Sequence, residues 1–249
     1  MGKKSETKLT KYSVLRASPS LVSALPKTRR FSKQSLYAFL DQYKKVIAKP
    51  ASGSGGAGVI LVTRQTKGRY RVQRGPTRRT VRGKQETYQY LRKKMTTPYL
   101  IQRCIPLARA NGSLFDVRVM AQRRPGSPWT VTGILAKVAG KGYIITNIKR
   151  SKGKVLPIRT AIQRATIRGA SDSTIIARLR RIAILAANRL ARYYTHQQVF
   201  GFDMGIDSNG RVWIIEANLR PDITLFLKLA DKSMYSKIKA YQRHVRKKG

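Results

Sequence analysis

The sequence predicts an α+β protein, and three observations carry that expectation. Phe200–Arg220 (FGFDMGIDSNGRVWIIEANLR) reads as two short strands, Gly201–Ile206 and Arg211–Ala217, folded back by the turn residues Ser208-Asn209-Gly210. Lys45–Pro50 (KVIAKP) and Val59–Thr63 (VILVT) read as a second antiparallel pair around a glycine-rich loop. Ser171–Thr195 is one long amphipathic helix. Ile175, Leu179, Ile182, Ala186, Leu190 and Tyr193 step by three or four, with Arg178, Arg181, Arg189 and Arg192 beside them.

Taken in order, residues 1–10 are a polar, basic tail. Lys11–Leu25 places apolar residues at Val14, Leu15, Leu21, Val22 and Leu25, a short helix interrupted by Pro19. Ser32 is the N-cap of a better helix reaching Tyr43, with Leu36, Phe39 and Leu40 on one face. The loop Ala51–Gly58 (ASGSGGAG) follows the first buried strand, which ends in Lys49. Gly53-x-Gly55-x-x-Gly58 spells the dinucleotide fingerprint, but β-branched residues follow where that motif needs a helix, and no Walker lysine is present. Two readings stay open for the loop: a flap whose backbone N–H groups fold over phosphates, or a plain flexible hairpin turn. Residues 64–98 are very basic, with a weak strand at 69–73 and a helix near 85–95. Tyr99–Ile105 is a strand, and in Leu114–Gln122 alternation puts Asp116 and Arg118 on one face, Val117 and Val119 on the other. Trp129–Ala139 and Tyr143–Asn147 read as further strands, and Lys228–Lys248 as a basic closing helix and tail.

The charge balance is extreme: 53 Lys+Arg against ten Asp+Glu, a net charge of +43. A polyanion is implied as a partner, whether nucleic acid, anionic membrane or acidic peptide. Four of the ten acids, Asp203, Asp207, Glu216 and Asp222, fall within twenty residues, and Asp116 sits in another strand. Asp203, Glu216 and Asn218 at strand ends bring together three oxygen ligands, a set suited to magnesium. No run of about 18 apolar residues occurs to span a membrane, and the N-terminus lacks the apolar region of a secretory signal. The single cysteine, Cys104, fits a reducing cytoplasm. Neither a zinc pattern nor a Ser-His-Asp or Cys-His set is apparent; His196 and His244 lie on helices or their ends.

Lys49-Pro50, the GSGGAG flap, the FDVRV strand, Asn147 and Asp203…Glu216-x-Asn218 follow one another in an order that resembles the ATP-grasp ligases. The resemblance is closest to the YheC/YheD-type endospore coat-associated family, more distant to the ribosomal-protein glutamate ligases, and covers roughly residues 11 to 225. It implies an ATP-grasp fold of two α+β subdomains with ATP bound between them. The expected division is 1–44 basic tail and helices, 45–98 lid with the glycine flap, 99–230 large subdomain with the magnesium site, and 231–249 basic C-terminal helix and tail. It also implies roles. Lys11 and Lys49 become the two ATP-contacting lysines, Lys49 beside the phosphate loop of Ser52, Gly53, Ser54, Gly55, Gly56 and Gly58. Gln102, Arg103, Cys104 and Ile105 become the hinge that holds adenine. Arg118 faces the transferred phosphoryl group with Asp116 to orient it, Asn147 lies near phosphate or metal, and Asp203, Glu216 and Asn218 hold magnesium.

There are departures from the family pattern. Lys137 stands where many relatives have arginine, and no acid between Ile105 and Gly112 is available for the ribose. Arg103 follows the hinge Gln102, and the resemblance implies a chain without the separate N-terminal domain of longer relatives. The expected activity is ATP- and magnesium-dependent carboxylate–amine ligation through an acyl phosphate, on an amino acid or acidic peptide. The basic residues of 64–84 and the helix 171–195 are expected to form a track for an acidic substrate. Two alternatives remain: a polyanion-binding or spore-coat structural protein on the same scaffold, and a nucleic-acid-binding protein. The latter is disfavoured by an aromatic content of only 8% that does not interleave with the basic runs. A cytoplasmic, spore-associated location is the corresponding expectation.

Overall fold

The structure, a computed structural model, describes residues 4–53 and 55–246. Its first sheet is antiparallel throughout, in the order β1 (Thr28–Arg30), β6 (Tyr99–Arg103), β2 (Lys45–Pro50), β3 (Ile60–Arg64), β4 (Arg69–Arg74), β5 (Thr77–Arg82). The sheet thus takes in strands from both sides of residues 45–98. Strand periodicity divides its faces. Val46, Ala48, Val62, Val72 and Ile101 turn to one side, where α3 (Lys33–Gln42) and α4 (Lys84–Lys94) cover them. Ile47, Lys49, Leu61 and Gln102 turn to the other, which lines a cleft. Helix α3 starts where the sequence predicts: Ser32 accepts from Ser35 N while the Ser35 hydroxyl accepts from Ser32 N, a reciprocal capping box.

The second sheet is also antiparallel, ordered β10 (Lys154–Pro157), β9 (Thr130–Val138), β8 (Ser113–Gln122), β11 (Val199–Ile206), β12 (Val212–Asn218), with β7 (Arg109–Ala110) paired to β8. Helix α7 (Asp172–Tyr193), capped by Ser171, packs on one face, where Phe115, Val117 and Val119 join the larger core. Met120 and Leu135 on the opposite face meet Ile238 of α8 (Ser233–Arg246) and Phe226. Asp116 and Arg118 share the Met120 face and point into the cleft. Helices α1 (Lys8–Arg16) and α2 (Pro19–Val22) divide at Pro19, which opens α2 at its first turn. Two short helices, α5 (Ile148–Ser151) and α6 (Ile158–Gln163), and a 3-10 turn, Thr224–Lys228, are the remaining elements of the described residues.

Some local expectations change. Tyr143–Asn147 is an irregular loop, not a strand. Its apolar residue Ile145 packs against Gly56 of the flap, and Asn147 caps α5 by accepting from Arg150 N. Strand β5 went unforeseen because Val81 is its one buried residue; the rest of this edge strand is arginine and threonine exposed to solvent.

Candidate nucleotide and metal site

The two sheets enclose a cleft of about 990 Å3. Its floor is built by register. Arg118 on β8 stands directly opposite Asp203 on β11, Asp116 opposite Lys137 on β9, and Asp203 opposite Glu216 on β12. The side chains follow the ladder. Arg118 grips Asp203 with two donors, Nε to Oδ1 at 2.9 Å and Nη2 to Oδ2 at 3.3 Å. Lys137 Nζ bridges the two aspartates, 2.8 Å from Asp203 Oδ1 and 3.0 Å from Asp116 Oδ1. Asp116 therefore orients Lys137 rather than Arg118. In an antiparallel ladder the near neighbour is the residue across the strand, not the one two positions along it. Thr146 donates to the other oxygen of Asp116.

These groups are buried, and their titration follows. Burial alone would raise the Asp203 pKa, but Arg118 and Lys137 outweigh it and hold the carboxyl well below the usual range. Burial likewise works against the Lys137 ammonium, yet Asp116 and Asp203 raise its pKa. For Asp116 burial prevails over Lys137, and its pKa is raised.

Between Asp203 and Met204 the β11–β12 register slips, leaving Ile215 as the extra residue of a bulge. Lys49 Nζ donates to the Ile215 carbonyl at 3.2 Å and to Gln102 Oε1 at 2.9 Å, so the bulge ties the roof to the floor. Burial lowers the Lys49 pKa to about 8, against the opposing pull of Glu216. Gln102 also donates to Thr28, and Gly201, opposite Asn218, lets Pro221 approach to where a Cβ would lie at 2.4 Å.

Of the residues singled out in the sequence, Lys49, Gly55, Gly56, Gln102, Arg103, Cys104, Ile105, Asp116, Arg118, Lys137, Asn147, Asp203, Glu216 and Asn218 all line this one cleft. Burial raises the Cys104 thiol pKa and so favours the neutral thiol. Ile47 and Leu61 from the roof, with Leu107 and Ile215 from the floor, give the cleft apolar walls for a flat ring. Four others lie elsewhere. Lys11 lines a small separate cavity with Lys8, Lys49, Gln102 and Glu216, and burial lowers its pKa. Ser52 and Gly53 turn their carbonyls to Lys8, and Gly58, at φ +71°, sits where a Cβ would lie 2.6 Å from the Tyr99 hydroxyl. Ser54 lies outside the described residues. The helix α7 is on the far face of the sheet from the cleft. Arg178 and Arg189 there donate to the carbonyls of Gly210 and Val14, so these two brace neighbouring segments and the helix does not extend the cleft.

Sequence reasoning missed Lys8. Its Nζ donates to the carbonyls of Pro50 (3.2 Å), Ser52 (3.2 Å) and Gly53 (2.6 Å), and lies 3.9 Å from Glu216 Oε1. It also missed Arg220 and Lys228 of the cleft walls, whereas Arg71 and Arg78, which line the cleft too, belong to the basic stretch 64–84 expected as a substrate track. In a chain with 53 basic residues, charge alone does not mark any one of them.

Among the described residues no three acids, histidines or cysteines gather as a ready-made metal cage. The donor set still fits magnesium, which takes one or two carboxylates and leaves its other positions to phosphate and water. Among the described residues Glu216 has no ion pair closer than Lys8 at 3.9 Å, which leaves its oxygens accessible for this; Asp203 and Asn218 lie beside it, Asn218 Nδ2 being 3.4 Å from Asp203 Oδ2.

Comparison with known proteins bears on the fold. The chain is 29% identical over 226 residues to the endospore coat-associated protein YheD of Bacillus subtilis (strain 168), covering 86% of this chain and 48% of YheD. It thus spans about half the length of that relative. Among solved structures it is similar to the ATP-grasp ligase PsnB complexed with minimal precursor, Mg and ADP, at a TM-score of 0.53 and 14% identity, covering 96% of this chain and 59% of that one. It is also similar to N5-carboxyaminoimidazole synthetase from Staphylococcus aureus complexed with ADP, at a TM-score of 0.56 and 14% identity, covering 95% and 51%. A family model described as YheC/D-like ATP-grasp matches residues 1–244, and the chain belongs to that family.

Proposed function

We propose that this chain is an ATP- and magnesium-dependent carboxylate–amine ligase acting on an acidic peptide or amino acid through an acyl phosphate. A substrate carboxylate oxygen attacks the γ-phosphorus and ADP leaves; the amine then attacks the acyl carbon and inorganic phosphate leaves. The first step brings two anions together, so fixed cations are its main requirement. In this reading the first sheet, residues 45–98 together with β1 and β6, acts as the lid and the remainder of 99–230 as the body, with the rest of 1–44 and 231–249 flanking them.

The observation that carries the proposal is the Lys137–Asp203–Arg118 array, opposite Glu216 and across the cleft from Lys49 and the glycine flap. Asp203 and Asp116 fix Arg118 and Lys137 in place before substrate arrives, so little reorganisation remains for the reaction. One well-placed donor of this kind is worth about 3–4 kcal/mol of barrier. Lys49 would contact phosphate, Gly55 and Gly56 would cover it, and the hinge Arg103–Ile105 would hold adenine. Asn147, whose amide lies against Gly55, would keep the flap seated. Glu216, Asp203 and Asn218 would hold the metal. Magnesium, when bound, supplies charge neutralisation between phosphate oxygens. PsnB, of the same fold, is a ligase whose complex contains precursor, Mg and ADP, which supports the choice of a peptide substrate.

The test is to incubate the full chain with ATP, magnesium, an amino-acid pool and acidic peptides, following ADP and peptide mass together. Stoichiometric ADP with a mass increase of one amide-linked residue, or a ladder of them, supports the proposal. ADP-free mixtures with unchanged masses reject it.

A further inference from the structure

The β4–β5 hairpin carries a row of arginines that the chemistry above leaves unused. Register pairs Arg69 with Arg82, Arg71 with Thr80 and Gln73 with Arg78. Residues opposite one another, and residues two apart, share a face. Gln73 identifies that face: it donates to Gly142 O across the cleft, and its β3 partner Leu61 lines the cleft. Arg69, Arg71, Arg78 and Arg82 therefore stand on the cleft side, and Arg71 and Arg78 line the cleft itself. Tyr70, Val72 and Val81 fill the other face.

All four arginines are exposed, and among the described residues none has a side-chain hydrogen bond or ion pair. Arg69 and Arg82 are direct cross-strand neighbours, an arrangement that costs stability unless an anion lies with them. Charge on an edge strand guards against unwanted pairing, which accounts for β5. It does not account for Arg69 and Arg71, because β4 lies inside the sheet. Beside the row is a groove of about 650 Å3 that shares Lys45, Thr63 and Arg71 with the cleft, adds Lys44 and Arg64, and has no acid in its walls. The cleft itself is lined by eleven Lys and Arg against four Asp and Glu, and two of those acids are already taken by Arg118 and Lys137. A magnesium-bound triphosphate offsets only part of that excess.

We infer that the arginine face of β4–β5 is the docking surface for an acidic peptide carrying several carboxylates. Its role as the second substrate's site rests on the ligase proposed above; its ability to bind does not. An extended chain presents alternate side chains to one side about every 6.8 Å, the same repeat that separates Arg69 from Arg71 along β4. Guanidinium groups meet carboxylates through two parallel hydrogen bonds. Single-stranded nucleic acid fits less well, because this face offers no aromatic ring on which a base could stack.

The test is fluorescence anisotropy with labelled decaglutamate and labelled decathymidylate at matched salt, with binding of a fluorescent ATP analogue plus magnesium measured separately. Three proteins are compared with the parent chain: Arg69→Gln/Arg82→Gln, the quadruple variant adding Arg71→Gln and Arg78→Gln, and Arg180→Gln/Arg181→Gln on exposed α7. Circular dichroism confirms that each is folded, and the double hairpin variant serves if the quadruple does not fold. We expect decaglutamate affinity to fall about tenfold in the quadruple and about threefold in the hairpin double, with a flatter salt dependence, and to hold within about twofold in the α7 variant. Equal losses in the hairpin and α7 doubles would show that net charge alone binds the peptide and overturn the inference. Tighter, hairpin-dependent binding of decathymidylate would replace it with a nucleic-acid surface. Hairpin-dependent decaglutamate binding in a chain that binds no nucleotide would leave the surface standing and remove the ligase.

Discussion

Asp203 and Glu216 face each other across the β11–β12 ladder, yet their surroundings differ completely. Asp203 is held by Arg118 and Lys137, whereas the nearest cation to Glu216 is Lys8 Nζ at 3.9 Å. One carboxylate is committed to organising the cations, and in the site proposed above its neighbour would be the one freer to take a metal.

Two isosteric substitutions separate these roles. Asp203→Asn leaves buried Arg118 without its counter-ion and Lys137 with only Asp116, and should cost about 3–5 kcal/mol of stability. Glu216→Gln breaks no close pair and should cost about 1 kcal/mol, while abolishing ADP formation. Thermal melts and ADP release on both proteins check the contrast. Near-normal turnover in Glu216→Gln would remove that residue from the metal site.

Lys49 gives a pH signature. Burial lowers its pKa from the ordinary 10.5 to about 8, so in the free protein it is charged below about pH 8 and increasingly neutral above it. A triphosphate needs the charged form. Nucleotide affinity should therefore decline as pH rises through 8, and binding near pH 9 should take up close to one proton. Calorimetry in two buffers of different ionisation enthalpy measures that uptake. Lys49→Arg should abolish the decline, since arginine stays charged throughout this range.

Most of the floor was legible in the sequence because strand alternation decides which residues share a face. Alternation puts Asp116 with Arg118, and the hairpin turn after Ile206 brings Asp203 beside Glu216 and Asn218, as the structure has them. Pairing between distant strands was not legible. Nothing local to the FDVRV strand says that Lys137 will stand opposite Asp116, or that Arg118 will meet Asp203. The same limit hid β5, whose single buried apolar residue leaves no periodic signal, and it made Tyr143–Asn147 look like a strand. There the apolar residue Ile145 packs against the flap, not into a sheet.

Lys8 couples helix α1 to the base of the glycine flap through three carbonyls. Lys8→Met should loosen that base, and it also removes the ammonium 3.9 Å from Glu216 of the floor. We expect faster proteolytic cleavage within residues 51–58, a raised KM for ATP and a stability loss of about 1–2 kcal/mol. Lys8→Arg should restore part of the protection, because a guanidinium can still donate to several carbonyls. Unchanged cleavage in Lys8→Met would show that the flap is held by other contacts.

The arginines of α7 should behave differently from those of the hairpin, although the sequence presents both as basic rows. Helix α7 covers the back of the second sheet, with Phe115, Val117 and Val119 between it and the cleft face. Arg178 Nη1 donates to Gly210 O at 3.1 Å and so braces the turn between β11 and β12. Arg178→Ala should lower stability by about 1 kcal/mol. Arg181 is exposed and reaches neither the cleft nor that turn, so Arg181→Glu should leave both melting temperature and the KM for an acidic acceptor unchanged. Measured side by side, the two variants decide whether α7 acts through the turn it supports or through its charge. A KM raised by Arg181→Glu would return the helix to the substrate path.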